Sequence, residues 1–563
     1  MKHELEQAVA VAVADLYKLD VDIELTRPEV QFGDYTTNVA LQLAKQVGKN
    51  PREIGEALAE MLRVDDRLAE VIVAGPGFLN LKLSDAALIE SLYTQPDRPL
   101  LGQTVVTEYS DPNPFKVLHA GHFYTSVVGD AISNLLQSAG AQVHEVNFGG
   151  DVGLHVGKTM WAIVRELGGE YPEKLSQVPD AERSEWMARC YVAGTNAYED
   201  NETAKAEIIA YNKRVYQVHN EGDHESAFAQ IYWTCRQWSY DYFDAFYARI
   251  GSGFERYYPE SQTAGIGLAA VKEQLARGVF SESDGAVVFV GEPYGLHTRV
   301  FINSEGLPTY EAKDVGLSLK KWEDYHFDKS IIITGNDIIE YMKVVLKSIE
   351  QFEPNLAQRT RHITHGNVKL AGGVKMSSRK GNFLRAVDVI EAASQASREA
   401  AGNESESTVL AAIKYSFLKS RIGADIIFVP EESVSMVGNS GPYLQYAHAR
   451  ARSILTKSQM PNDNDQSNLN VRFADSKLES AERLLARKLS EFPEVVTVAT
   501  AELMPHHVCT YLYELAQEFN RFYENNRVIG DVREMLRLQL VLTYADTLKK
   551  GLDLLGIHAP ERM

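Results

Sequence analysis

Lys116, His119, Gly121 and His122 fall within seven residues, in KVLHAGH. Two imidazoles around a glycine, just behind a lysine, allow two readings. One is a turn that holds two histidines. The other is a nucleotide-phosphate site, in which imidazole N–H groups donate to phosphate oxygens and Gly121 lets a flat base approach the backbone. The predicted setting of the motif, at a strand end that opens a helix, sharpens the second and leaves the first open, because helix N-termini present free N–H groups and a positive dipole end to anions.

A second cluster lies about 250 residues downstream. GGVKMSSRKGNFL, from Gly372 to Leu384, combines glycines and two serines with Lys375, Arg379 and Lys380. Such a loop suits a polyphosphate, although a charge run alone also describes a solvated surface loop. A third set is acidic and phenolic. Glu108 stands just before SDPNPFKVLHAGH, and Tyr310 and Asp314 in TYEAKDVG lie one helical turn apart on one face. Two carboxylates and a phenol converging on one ligand suit a cation, and a planar guanidinium matches carboxylates in bidentate fashion better than an ammonium does. The alternative is that these acids make structural salt bridges.

Positioning these residues requires an α/β sheet. TVVTEY reads as a strand, HAGH as a turn, FYTSVVGDAISNLLQSAG as a helix ended by Gly140, and QVHEVNFGG as a second strand. That is a βαβ unit, whose ligands bind at the carboxyl ends of the strands. A mostly helical insertion over about 155–280 is expected to split the sheet, which resumes with GAVVFV, TRVFIN, SIIITGND and RHITHGNVKL. Residues 1–100 read as a small α+β domain with two amphipathic helices about Pro51 and a hairpin in LAEVIVAGPGFLNLKLS. Residues 101–395 form the split Rossmann-like domain, and 396–563 read as helical to the end.

Composition narrows the class. With 563 residues, two to four domains are expected. No apolar run is long enough to span a bilayer, and AVAVAVADLY reads as a half-buried helix rather than a secretory signal. Three cysteines without a C-x-x-C pair argue against a disulfide framework or a thiolate zinc site and suit a reducing cytoplasm. The formal charge of −20 repels phosphate on average, so a nucleic-acid partner would need a local patch and shape. Gly441–Met563 holds 15 Lys+Arg against 16 Asp+Glu, a net of −1, so nearly all of the −20 lies upstream.

The pair HAGH and KMSS, in order around a split sheet, resembles the HIGH and KMSKS motifs of class I aminoacyl-tRNA synthetases. Along nearly its whole length the chain resembles the arginyl-tRNA synthetase family. TEYSDPNPFKVLHAGH, NFGGDVG, PTYEAKDVG, GPYLQYAHARARSIL and GLDLLGIHAPERM match that family's motifs in order, and FGDY with AGPGFLNLKLS matches its N-terminal domain.

The resemblance implies an ATP-dependent ligase that forms arginyl-adenylate and transfers arginine to the 2′-hydroxyl of the terminal adenosine of tRNA(Arg). It implies that Glu108, Ser110, Asn113, Tyr310 and Asp314 bind arginine. His119, Gly121, His122, Gly335, Asp337, Lys375, Met376 and Ser377 would bind ATP, with Lys116, His119, His122 and Lys375 catalytic. Phe78 and Asn80 would touch the tRNA elbow; Tyr443, Tyr446, Arg450 and Met563 would serve the anticodon end. Mg²⁺ would accompany ATP, no zinc is expected, and the protein would be a cytoplasmic monomer with no membrane partner.

Tyr443, Tyr446 and Arg450 share a helical face suited to unstacked bases, but tyrosines at that spacing also build cores, and Phe78 could equally be a buried staple. Ser378 occupies the place of the second KMSK lysine, with Lys116 or Lys380 as substitutes. Val152 replaces the family's Trp, which leaves the part played by Asp151 open. Two rival readings are a nucleotidyltransferase that adenylates a small acid without tRNA, and a non-catalytic RNA-binding regulator. The first has no use for the helical C-terminus. The second would tolerate loss of His119, His122, Lys116 or Lys375, and all four are present.

Overall fold

A computed structural model describes residues 1–371, 384–401, 405–458 and 476–563. The first 91 residues hold helices Lys2–Tyr17, Val39–Val47, Pro51–Leu62 and Asp85–Ser91, and strands β1 (Tyr35–Thr37), β2 (Leu68–Ala74) and β3 (Phe78–Leu83). These strands make an antiparallel sheet ordered β1-β3-β2. Pro51 sits at the first position of its helix, where its missing N–H costs nothing, and Asn50 caps the same end by accepting from Arg52 N. The apolar face of that helix is carried by Ile54, Leu58 and Leu62, spaced one turn apart and all buried.

The catalytic-type domain is built on β4 (Thr104–Glu108), β5 (Gln142–Gly149), β6 (Arg256–Pro259), then β7 (Ser281–Ser283), β8 (Ala286–Phe289), β9 (Arg299–Ile302), β10 (Lys329–Gly335) and β11 (Thr360–His365). Five of them form one parallel sheet in the order β11-β10-β4-β5-β6. The apolar run Ile331–Ile333 in β10 is buried, as expected of a strand covered on both faces. From β4 the chain proceeds outward to β5 and β6 on one side and returns to β10 on the other. The order therefore reverses between β4 and β10, the place where open α/β sheets bind ligands.

Three expectations need correction. GAVVFV and TRVFIN do not join the parallel sheet; β7, β8 and β9 form a separate antiparallel one. Second, β6, inside the segment read as helical, is an edge strand of the main sheet, so the continuous helical part of the insertion ends at Ile250. RYYP is too short for its alternation to stand out from a Tyr-rich helical stretch. Third, the C-terminal part is not helical throughout: β13 (Ile426–Phe428) pairs in parallel with β12 (Val368–Leu370).

The insertion, with helices Leu154–Glu166, Arg183–Asp200, Glu202–Glu221 and Ala227–Ile250, has its own core around Trp161, Trp186, Met187 and Trp238. Phe115, from the loop after β4, belongs to that core and stacks on Tyr232 at 5.6 Å between ring centroids. Asp151, fully buried, ties the two parts together. Its carboxylate accepts from Arg236 Nε at 2.9 Å, Ser261 N at 2.9 Å and Ser261 Oγ at 2.7 Å.

The C-terminal bundle comprises helices Glu406–Leu418, Gly441–Lys457, Ser480–Ser490, Phe492–Glu502, His506–Asn525 and Glu534–Leu554. It packs directly on the N-terminal domain. Arg27 Nη2 bonds Glu494 Oε1 at 2.6 Å, and Arg483 reaches Asp34 at 2.6 Å and Asp85 at 2.8 Å. The two ends of the chain thus meet.

Candidate active site

The His-Gly-His turn begins the buried helix Ala120–Ser138, and the histidines cap it. His119 Nδ1 accepts from Gly121 N at 3.1 Å, and His122 Nδ1 accepts from His119 N at 3.2 Å. Both Nδ1 atoms therefore carry no proton, which leaves each Nε2 as the N–H donor. Enclosure by the surrounding protein, reinforced by the Lys116 ammonium, holds the His119 pKa down to about 4. Burial and the neighbouring His119 hold His122 well below the usual imidazole range. Both rings are neutral at pH 7 and lie 3.7 Å apart between centroids, tilted by 32°.

Gly121 is also confined by the turn itself. A Cβ there would lie 2.8 Å from the Cε1 and Nδ1 atoms of His119. Its missing side chain makes room for the His119 ring itself, so the cap and the tautomer depend on it.

Lys375, Met376 and Ser377, together with Ser378, Arg379 and Lys380, lie outside the described residues. The residues that follow them are placed. Ala120 N donates to Leu384 O at 2.7 Å, and Ala386 N donates to Leu118 O at 2.9 Å. The end of the second motif is thus paired by backbone with the first, across more than 250 residues of sequence. Lys116 stands 4.6 Å from the centroid of the Tyr191 ring, on the insertion. On the strand beside β4, Gly335 ends β10, and Asp337 follows in the short turn Asn336–Ile338. They lie across the β4/β10 reversal, with Asp337 close enough to act on the His119 charge.

The loop between β4 and the histidines is strained. Ser110, Asp111 and Phe115 have φ of 73°, 49° and 68°, in the left-handed region that non-glycine residues seldom occupy. The strain is held by Ser110 Oγ against Tyr247 Oη at 2.8 Å, by Phe148 N donating to Asp111 Oδ1 at 2.8 Å, and by Phe115 in the insertion core. Asn113 Oδ1 accepts from Gly150 N at 2.8 Å, which moors the loop to the end of β5.

Beside this loop lies a buried set of acids. Glu108 ends β4 and is bound to Lys321, which also reaches Ser330 Oγ at 3.3 Å. Glu260 pairs with Lys313 at 2.6 Å, both side chains 4% exposed. Asp111 and Asp314 have no ion-pair partner among the described residues. Asp314 instead accepts a hydrogen bond from the Tyr341 hydroxyl. Burial, with Glu108 and Glu260 nearby, raises the Asp314 pKa to about 8, against the lowering effect of Tyr341 and Lys321. Burial and Glu108 likewise push Asp111 well above the carboxylate range. Four acids meet two buried lysines here, so ionising the two unpaired acids calls for a further cation. Tyr310, expected with Asp314, lies one turn away, half exposed, its ring 5.1 Å from Lys313 Nζ.

Two helices hold these acids by close approach. Gly267 and Gly316 face each other between Glu260–Ala276 and Tyr310–Tyr325; a Cβ on Gly267 would lie 1.8 Å from Ala312 O, and one on Gly316 2.1 Å from Thr263 O. Glu260, Lys313 and Asp314 therefore sit on backbones in near contact.

Two residues expected at the arginine already have partners. Glu108 is not an open carboxylate, since Lys321 already neutralises it, and the hydroxyl of Ser110 is engaged by Tyr247. The sequence reading missed Asp111, Glu260, Lys313, Lys321 and Tyr341. Asp111 and Lys313 lay within quoted motifs and Tyr341 just beyond TGND; Glu260 and Lys321 had no local signal.

At the outer surfaces, Phe78 is 40% exposed at the start of β3, not a buried staple, whereas Asn80 is buried and accepts from Thr36 Oγ1 at 2.6 Å. Tyr446 is exposed, as is Met563 at the C-terminus. Tyr443 is the core-facing member, with its hydroxyl accepting from Asn520 Nδ2 at 2.9 Å, and Arg450 stands 4.7 Å from the Tyr523 ring centroid.

Three family descriptions match consecutive parts of the chain. They are the arginyl tRNA synthetase N-terminal domain over 2–83, the class I (R) tRNA synthetase catalytic domain over 86–433, and the DALR anticodon-binding domain over 444–563. The arginine–tRNA ligase of Porphyromonas gingivalis strain W83 is 29% identical, with all of this chain and 99% of that one covered. The Thermus thermophilus arginyl-tRNA synthetase structure superposes with a TM-score of 0.78 at 27% identity, covering both chains fully. The Plasmodium falciparum arginyl-tRNA synthetase, 20% identical, shares the fold with a TM-score of 0.80, covering all of this chain and 99% of that one.

Proposed function

Because this chain belongs to the class I (R) tRNA synthetases, the arginyl family, we propose that it is an arginine–tRNA ligase acting as follows. A carboxylate oxygen of arginine attacks the α-phosphorus of ATP, and pyrophosphate leaves. The 2′-hydroxyl of the terminal adenosine of tRNA(Arg) then attacks the acyl carbon and AMP leaves. No covalent bond to the protein forms, so catalysis consists of positioning and charge stabilisation.

The observation that carries the choice of amino acid is the excess of buried acid beside the His-Gly-His turn. Asp314 and Asp111 lack a cationic partner among the described residues, and an arginine guanidinium supplies one. Asp314 receives the fork of N–H donors, Tyr310 covers it, and Glu108 adds negative field while bound to Lys321. Asn113 sits where the α-amino and carboxylate end would lie, and Ser110 shapes the loop through Tyr247. His119 and His122 donate from Nε2 to phosphate oxygens. Lys116 and Lys375 neutralise charge as pyrophosphate departs, while Met376 and Ser377 would contact ATP. Gly335 and Asp337 face the ribose. Mg²⁺ would enter with the nucleotide and help to neutralise its phosphates.

For the RNA, Phe78 with Asn80 behind it would meet the elbow, and Tyr446, with Tyr443, Arg450 and Met563, the anticodon end. A cytoplasmic monomer belongs to the same reading; three buried free thiols suit a reducing compartment. Among the described residues no helix is long and apolar enough to cross a membrane.

The test is ATP–pyrophosphate exchange with each amino acid, with and without tRNA. Exchange with arginine alone among the amino acids, strongest with tRNA present, is expected. Exchange with another amino acid, or none from folded protein that still binds tRNA, would overturn the assignment.

A further inference from the structure

Tyr341 lies in TGNDIIEYMK, a stretch that departs from the arginyl family's usual Gln/His-rich version, and among the described residues it is the neutral donor bound to Asp314. It lies on the helix Ile339–Glu350, which follows β10, while Asp314 lies on Tyr310–Tyr325. The two elements meet through this hydrogen bond. We propose that Tyr341 is a positioning residue for amino-acid selection: its O–H, donated to Asp314 Oδ2, orients that carboxylate for the incoming guanidinium and keeps it ready to receive charge. This rests on the arginine reading of Asp314 given above.

The surroundings of the pair explain why a donor is needed. Asp314 faces Glu108 from β4 and Glu260 from the neighbouring helix, with Lys321 on its own helix and Asp111 from the strained loop. Lys321 is bound to Glu108, and Lys313 to Glu260. Neither lysine is placed to serve Asp314 directly. A carboxylate among carboxylates would rather take a proton, and a protonated carboxyl presents a donor to a guanidinium that has only donors. A phenol opposes this without adding a charge that would compete with the substrate.

Burial and the adjacent Asp314 keep the Tyr341 hydroxyl protonated, so it remains a donor. Its ring is fixed in turn. Arg299, on β9, places its guanidinium 5.5 Å from the Tyr341 ring centroid and donates to Glu311 Oε1 at 3.1 Å. A cation over the ring face favours that orientation and makes the phenol a better donor. Arg299 is paired with Glu311 rather than with Asp314, which leaves the Asp314 charge for the ligand.

Removing the hydroxyl has a defined sign. Because the bond from Tyr341 lowers the Asp314 pKa, its loss raises that pKa further. At pH 7 a smaller fraction of Asp314 is ionised and arginine binds less well; at pH 9 ionisation recovers and the deficit closes. The α-ammonium of arginine titrates equally in both proteins, so it cancels in the ratio of the two.

The experiment is steady-state arginylation of tRNA by the full chain, comparing wild type, Tyr341→Phe and Asp314→Asn between pH 6.5 and 9. Tyr341→Phe should raise the KM for arginine roughly tenfold at pH 7, the scale of one hydrogen bond to a charged group. The kcat and the KM for ATP should not change, and the ratio of arginine KM values should fall towards one by pH 9. A Tyr341→Phe deficit that is equal at every pH would overturn the proposal, as would an unchanged arginine KM while Asp314→Asn loses arginine. If Asp314→Asn also leaves the arginine KM unchanged, the assignment of Asp314 to the substrate fails and the proposal falls with it. Thermal unfolding of Tyr341→Phe within about 2 °C of wild type separates these outcomes from loss of fold.

Discussion

The cleft at the β4/β10 reversal and the junction between the two ends of the chain both bury carboxylates, but they treat them differently. At the junction each acid finds an arginine: Glu494 meets Arg27, and Asp34 and Asp85 share Arg483. Asp34 also accepts from Leu83 N at 2.8 Å. In the cleft two of four acids are paired with lysine, and two are not. A buried pair with satisfied hydrogen bonds holds parts together, and breaking it leaves a charge in a poor environment. An unpaired buried acid does the reverse: it costs stability until a ligand supplies the missing charge. The junction is built to hold; the cleft, on the arginine reading proposed above, to bind.

The largest break in this contrast is Lys321→Met. It strands Glu108 next to two acids that already lack partners, and should destabilise the protein by about 3–5 kcal/mol, read by denaturant unfolding. Next comes the junction. Asp34→Ala should cost about 3 kcal/mol and should raise the KM for tRNA more than that for arginine, because the two RNA-facing ends would no longer be held together. Unchanged stability would mean the Arg483 pairs add nothing to docking.

Asp314→Asn sharpens the difference, since it should weaken function and strengthen the fold. The arginine KM should rise by about thirtyfold, close to 2 kcal/mol. Stability should increase, for a stated reason. With its pKa raised from 3.8 to about 8, Asp314 destabilises the folded state progressively as pH climbs from about 4 to 8. The gain in melting temperature from Asp314→Asn should therefore be absent near pH 4 and full above pH 8. A gain independent of pH would mean that charge is not its source. The smallest effect is at the surface: Tyr446→Ala should raise the tRNA KM only a few-fold, with stability unchanged.

Much of this architecture was legible from local pattern. The βαβ unit around HAGH, the N-terminal hairpin and the helical C-terminus all follow from periodicity and turn residues, and the helix after His119 begins where the motif predicts. The errors share one cause. β6 is four residues long, β13 three, and GAVVFV and TRVFIN carry the same β-rich composition whether they pair in parallel or antiparallel. Composition reports that a segment is extended; its partner strand is a matter of long-range packing.

The site divides in the same way. Residue types and spacing alone marked the His-Gly-His turn, the basic second motif and the Tyr310–Asp314 face, because each pattern is local to a few residues. Tertiary structure decided which carboxylates remain unpaired. Lys321 is 213 residues from Glu108, Lys313 is 53 from Glu260, and Tyr341 is 27 from Asp314. Whether a buried acid is neutralised depends on what the fold brings within a few ångströms, and Coulomb energy in a water-poor interior depends on that distance rather than on separation along the chain.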